Sequence, residues 1–394
     1  MQSTTPALRH PWFPLSLSYA GMMAIAIAVN LLPVFLTTLS AELGGLTAEQ
    51  QGRLGAVSYL GLVLAILTTG RLADHYGPRV FVTLGNLLIA AGLGLLAVAP
   101  GYTLIMLACF IMGFGAGTLD MILSPLVSAL QPHRRTVALN LLHSFYCTGA
   151  VATIFLAALA LRWGFSWRTA SLALLPMPFL LAVGFLPARF PPLIPEGQDR
   201  HRMRVLIREP YFLLTLVAIF LGGATEVGMA YWLPTYAEQN LHFPKFTADL
   251  AFLGFSLAMA AGRLAIGLLP HMKPIPLMLG CCVGSVVLFL AASFAPWPPV
   301  ALAACILAGL TGSCLWPSTL AVAADRFPHG GASMFALLAA LGNFGGIFMP
   351  WCIGLVADHA GLAVGLAVAA ACPALMIVAL LALRRHPHLA PSVG

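Results

Sequence analysis

Two acids stand inside long apolar stretches of this chain, Asp120 and Glu226, and a histidine, His143, follows the first of them across a turn marked by Pro132. A carboxylate in hydrocarbon costs roughly 2.5–3.5 kcal/mol even on lenient insertion scales, so an acid placed there points to chemistry by default. Asp120 lies 12 residues before Pro132 and His143 lies 11 after it. At the rise of a helix both sit roughly 16–18 Å from the turn. An acid and an imidazole at equal depth can share one proton if their faces meet. A polar bridge between two helices uses the same pair, and the sequence leaves both readings open. Glu226 is followed by Tyr231 and Trp232 within two turns. That grouping suits a second proton site, or an acceptor for a solute hydroxyl beside an aromatic platform. The plainer alternative is an aromatic belt with an acid bonded to a Ser, Thr or Asn.

Asn30, Asn140 and Asn343 are amides in mid-stretch, each with two donors and one acceptor. Such groups read the hydroxyls of a polar solute, and they also simply bond helices together. Trp316, next to Pro317, is placed to stack on a flat solute face or to pack as a core indole, and Tyr146 sits most of a turn from His143. Gly113 and Gly117, like Gly342 and Gly346, have the small-xxx-small spacing of close helix packing. Arg71 and Arg263 fall near helix ends, where snorkelling to the interface is expected.

These residues need elements to hold them. Of the 394 residues 60% are apolar and 8% charged, against roughly 25% charged in a soluble domain. The chain cannot cover a soluble surface. Runs of about 20 apolar residues are the mark of transmembrane helices, while barrels alternate in short segments. A soluble enzyme, a disordered chain and a β-barrel are excluded, and so is nucleic acid as the partner of the +7 charge. Twelve spans are predicted, near 14–39, 52–73, 80–98, 103–130, 137–161, 168–187, 210–236, 248–269, 275–294, 299–324, 332–357 and 362–384. With the N-terminus inside, 15 of the 19 Lys and Arg fall on the cytoplasmic side, leaving Arg53, Arg162, Arg168 and Lys245 opposite. The positive-inside bias places both termini in the cytoplasm. The first span has no basic leader or cleavage site, so no signal peptide is expected. The eight cysteines fall in or at the ends of spans without metal-ligand spacing, and are expected to pack as small apolar groups. No metal site is predicted.

The chain also repeats itself. Gly70-Arg-Leu-Ala73 recurs as Gly262-Arg-Leu-Ala265, and Pro125 and Gly117 recur as Pro317 and Gly309, all at an offset of 192. Residues 189–209 form the one long polar stretch. The expected organisation is a six-helix bundle over 1–188, a cytoplasmic linker over 189–209 and a second bundle over 210–394. Two repeats around a midplane site are a design in which one half rocks against the other.

Family resemblance sharpens this. Gly70-Arg-Leu-Ala-Asp74-His75-Tyr76-Gly77-Pro78-Arg79 resembles the signature loop of the major facilitator superfamily, with His75 where Lys or Arg is usual and Val80 where a basic residue ends the motif. Gly70, Asp74, Gly77 and Arg79 are, by that resemblance, a conformational switch. Gly77 would permit the turn, and the Asp74 carboxylate would accept from a helix N-terminus or an Arg. Asp120-Met-Ile-Leu-Ser-Pro125, Leu139-Asn-Leu-Leu-His143-Ser-Phe145 with Gly149, Trp316-Pro-Ser-Thr319 and Gly342-Asn-Phe-Gly-Gly346 are similar to patches of the fucose/galactose/glucose:proton symporter family. Ser124 departs from that family's Asn, and Asn30 stands where it has an acid on the first helix. The Gly-Pro run of drug:proton antiporters on the fifth helix is missing from Gly149-Ala-Val-Ala-Thr153.

The resemblance implies an all-α integral membrane protein of twelve helices in the major facilitator fold. It implies a secondary transporter taking up a small polar solute such as a sugar by symport. Asp120, His143 and Glu226 would couple protons, and Asn30, Asn140, Tyr146, Tyr231, Trp232, Trp316 and Asn343 would line the solute site. The alternative is a proton antiporter exporting a drug or metabolite. A membrane-embedded enzyme is remote, because no nucleophile, metalloprotease or P-loop motif is present. The proton gradient is the expected driving force in place of a cofactor, though a carboxylate among amides also suits sodium. Solute and lipid bilayer are the expected partners, a monomer the expected state, and a bacterial inner membrane the expected location.

Overall fold

The computed structural model describes residues 12–131, 135–188, 190, 206–268, 273–327 and 331–385. The linker expected at 189–209 therefore lies mostly outside the described residues. All regular structure among them is helical: α1 Trp12–Glu42, α2 Ala48–Tyr76, α3 Pro78–Val98, α4 Tyr102–Leu130, α5 Arg135–Arg162, α6 Trp167–Leu174, α7 Pro176–Phe185, α8 Pro210–Gln239, α9 Lys245–Leu268, α10 Pro274–Phe294, α11 Pro298–Gly312, α12 Leu315–Arg326, α13 Gly331–Ala360, α14 Leu362–Ala369 and α15 Ala371–Arg385. Twelve spans among the described residues are long and apolar enough to cross a bilayer. The fifteen helices reduce to twelve because three spans, α6–α7, α11–α12 and α14–α15, are interrupted.

Prolines explain the interruptions. Pro178, Pro317 and Pro373 cannot donate to the carbonyls four residues back, at Leu174, Ser313 and Ala369, and each break falls at or beside that carbonyl. Glycines end other helices: Gly44, Gly45, Gly77, Gly164 and Gly361 hold φ between 79° and 94°, a region costly for any side chain. At the start of α6 the Ser166 hydroxyl accepts from the Thr169 N–H at 3.1 Å, an ordinary N-cap.

The described residues group into two compact units, one within Met1–Phe35 and Val57–Gln198, the other within Leu36–Ala56 and Asp199–Gly394. In the first, α2 and α4 cross with backbones in contact: a Cβ on Gly113 would overlap the Ser58 carbonyl oxygen, and one on Gly117 would overlap that of Leu62. The second unit repeats the device, since a Cβ on Gly309 of α11 would overlap the Phe255 carbonyl of α9. The glycines are 192 apart and the carbonyls 193, so the sequence repeat is also a packing repeat. In the second unit α8 and α13 cross in the same manner, Gly223 on the Gly342 carbonyl and Gly345 on that of Phe220. The eight cysteines are all free thiols.

Candidate functional site

In the first unit, Asp120 sits on the fourth span, partly buried, and makes no hydrogen bond or ion pair with any described residue. His143 is exposed on α5. The shared-proton contact between them is not formed in this conformation. Asn30 and Tyr146 are brought together: the Asn30 amide donates to the Tyr146 hydroxyl at 3.4 Å and to the Ala26 carbonyl of its own helix at 2.9 Å. Asn30 is 8% exposed. Gly149 lets α5 approach α1 closely, with its Cα facing the Met23 backbone. The side chain of Asn140 lies outside the described residues.

In the second unit the central feature is an ion pair. One guanidinium nitrogen of Arg263, on α9, lies 3.2 Å from both carboxylate oxygens of Glu226, on α8. Its Nε reaches the Ser313 carbonyl at 3.4 Å, the carbonyl to which Pro317 cannot donate. A Cβ on Gly262 would overlap the Ser313 hydroxyl, so α9 and the broken tenth span touch here. The expectation that Arg263 snorkels to the interface is corrected: its head turns inward to an acid and a freed carbonyl. Sequence reasoning missed the pair, although Pro317 was a signal that a carbonyl four residues earlier needed a donor.

The aromatic residues are differently employed. Tyr231 and Trp232 are 4% and 1% exposed. The Tyr231 hydroxyl donates to the Gln51 carbonyl at 2.5 Å and the Trp232 indole to the Pro350 carbonyl at 3.0 Å. Both are tied to backbone within the second unit, so in this conformation neither presents a face to solute. Trp316 is half-buried over Gly342, where a Cβ would overlap its ring, and packs on the apolar cluster of Phe212, Ile219 and Leu338. The Asn343 amide donates to the Ala339 carbonyl of its own helix at 3.0 Å.

In the loop between the second and third spans, Gly77 takes φ 79° and Pro78 opens α3. Gly70 packs against Met121 of α4, and Arg79 is exposed. The side chain of Asp74 lies outside the described residues. Among the described residues no group of three His, Cys, Asp or Glu could hold a metal.

The family model of the Major Facilitator Superfamily matches residues 17–276 and 238–393. Among curated relatives, the multidrug resistance protein MdtH of Yersinia pestis (strain Pestoides F) is 24% identical over 238 residues, 52% of this chain and 58% of that protein. The sugar transporter ERD6-like 8 of Arabidopsis thaliana is 25% identical over 118 residues, 30% of this chain and 25% of that one. The chain spans from a quarter to just over half of the length of these relatives. A solved D-xylose-proton symporter aligns over 95% of this chain and 97% of its own with TM-score 0.78 at 14% identity. The fucose:proton symporter of E. coli aligns over 95% and 99% with TM-score 0.66 at 19% identity. At such identities the likeness is one of fold.

Proposed function

Because the chain belongs to the major facilitator superfamily, and is thus a multi-pass membrane transporter working by alternating access, we propose that it takes up a small polar solute, a sugar-like molecule, in symport with protons. The observation that carries this reading is Asp120. It is a carboxylate on a membrane span with no hydrogen-bond or ion-pair partner among the described residues. A carboxylate without a fixed partner is available to take up a proton and return it. The Asn30–Tyr146 pair in the same unit supplies an amide and a hydroxyl of the kind that reads hydroxyls. The xylose and fucose symporters of similar fold support the sugar-like class.

In this reading residues 1–188 and 210–394 are the two moving bundles, the Gly70–Arg79 loop is the switch, both termini are cytoplasmic, and a monomer works in a bacterial inner membrane. Export of a drug or metabolite against protons is the second reading, favoured by the relatives named as multidrug resistance proteins.

Solute-evoked pH change in proteoliposomes decides between them. Protons are expected to enter with an inward-moving sugar, sugar acid or related polar solute. Silence for all of these, with proton movement opposite to a hydrophobic cation, would reverse the assignment. If His143 relays the proton to Asp120 in another conformation, His143→Ala moves the pH optimum of uptake. An unchanged optimum removes His143 from the mechanism.

A further inference from the structure

The Glu226–Arg263 pair is placed where a purely structural ion pair is hard to explain. Glu226 lies 13 residues from the end of α8 at Gln239, Arg263 lies 18 residues from the start of α9 at Lys245, and Ser313 lies 15 from the start of α11 at Pro298. These three helix ends share one side of the membrane, so the Cα atoms sit at depths of roughly 20, 27 and 22 Å from it. The Arg263 side chain therefore runs back toward the middle of the bilayer instead of out to the nearer surface. Both partners stay accessible, 30% for Arg263 and 22% for Glu226. Charged side chains at that depth almost always face the bundle interior or a water-filled cavity. The contact is also not the strong form: a single nitrogen straddles both oxygens at 3.2 Å, where two parallel bonds at about 2.8 Å would be a committed pair. It lies at the break of a discontinuous span, the place where transporters hold polar solutes.

We propose that Arg263 recognises an anionic group, a carboxylate, on the transported solute, and that Glu226 is the internal carboxylate this group replaces. The inference rests on the uptake reading above and narrows its solute to polar acids, sugar acids among them. A proton adds to the Glu226 carboxylate, the attraction to the guanidinium is lost, and the solute carboxylate takes the vacated side of Arg263. Nε keeps its bond to the Ser313 carbonyl throughout, so the head is held in place during the exchange. When the solute leaves, the proton leaves Glu226 and the ion pair closes again. No covalent bond changes, and one proton crosses on Glu226 for each anion, in addition to the one carried on Asp120. Arg263 is, among the described residues, the charged group that pairs with Glu226.

The test uses the full chain in proteoliposomes with an inward proton gradient, with glucuronate and glucose as matched probes. Glucuronate is expected to accumulate and to carry protons inward, with glucose much weaker. Arg263→Gln should raise the glucuronate half-saturation by about 10–100-fold, the equivalent of one charge-assisted hydrogen bond, and Arg263→Lys should recover part of it. Glu226→Gln should still exchange glucuronate across the membrane but carry one proton fewer with each anion, the Asp120 proton remaining. Because Arg263→Gln alone leaves Glu226 without its cation, the double variant Glu226→Gln/Arg263→Gln is measured beside it. A folded double variant that retains tight glucuronate uptake overturns the inference. Proton-coupled glucose uptake equal to that of glucuronate, and unchanged in Arg263→Lys, also overturns it while leaving the uptake reading in place. Proton efflux on adding a hydrophobic cation, with neither probe moving, overturns both.

Discussion

Asp120→Asn is expected to remove one coupled proton from uphill accumulation of the solute while leaving exchange down its own gradient intact. The substitution keeps the shape of the side chain and removes its proton chemistry. Asp120 has no described partner to lose, so the change should cost little in folding; removing an uncompensated carboxylate from a span favours insertion by roughly 1–3 kcal/mol if anything. The expected pattern is therefore a split. Counterflow between loaded and external solute stays within about twofold, and accumulation driven by a pH gradient falls by roughly tenfold for a gradient of one pH unit, the share of one proton. Accumulation and counterflow measured in one vesicle preparation check it. Undiminished accumulation in the variant would take the coupling role away from Asp120.

Gly113→Val should act on the fold and leave no functional protein to assay. A Cβ there would overlap the Ser58 carbonyl oxygen of α2, and an oxygen of a helix backbone cannot swing aside as a side-chain tip can. Overpacking a well-packed interior costs about 1–3 kcal/mol; a clash of backbone with Cβ belongs at the top of that range or above it. Gly280 on α10 is the matching control, because a Cβ there meets nothing within 4 Å. Gly280→Ala should express and melt like the parent, while Gly113→Val should lose most of its monodisperse yield in detergent. Equal yields and equal melting curves for the two would mean that the α2–α4 crossing relaxes freely.

The spans were readable to within about four residues at each end, and the candidate site only in part. The stretch expected at 80–98 is α3, Pro78–Val98, and that at 210–236 is the start of α8, Pro210–Gln239. Hydrocarbon enforces this: every backbone group must bond within its own segment, so length and apolarity fix a helix. The glycine crossings were readable too, since Gly113, Gly117 and Gly309 announce close approach by size alone. Helix rotation was not. A span apolar on nearly all sides carries no stripe that says which face meets which neighbour. Thus Tyr231 and Trp232, placed near a solute from their spacing to Glu226, are turned into the packing of the second unit. Asn343 and Asn30 each spend a donor on the carbonyl one turn back, a bond available to any mid-helix amide and invisible in spacing. Glu226 was singled out correctly as an acid inside a span, but its partner stands 37 residues away on another helix, and only the packing of α8 against α9 joins them.

The proline that breaks the tenth span also sets the order in which its neighbours can change. With Pro317 in place, the Ser313 carbonyl and the Glu226 carboxylate both look to one guanidinium. Losing the acid first leaves Arg263 with an acceptor still in reach. Losing the arginine first leaves two acceptors side by side with no donor. Substitution at 226 is thus the permissive first step and substitution at 263 the blocked one, until position 317 regains an N–H and the helix can close on its own carbonyl. A library that mutates the three positions together, read out by folded yield, should therefore recover that dependence as epistasis.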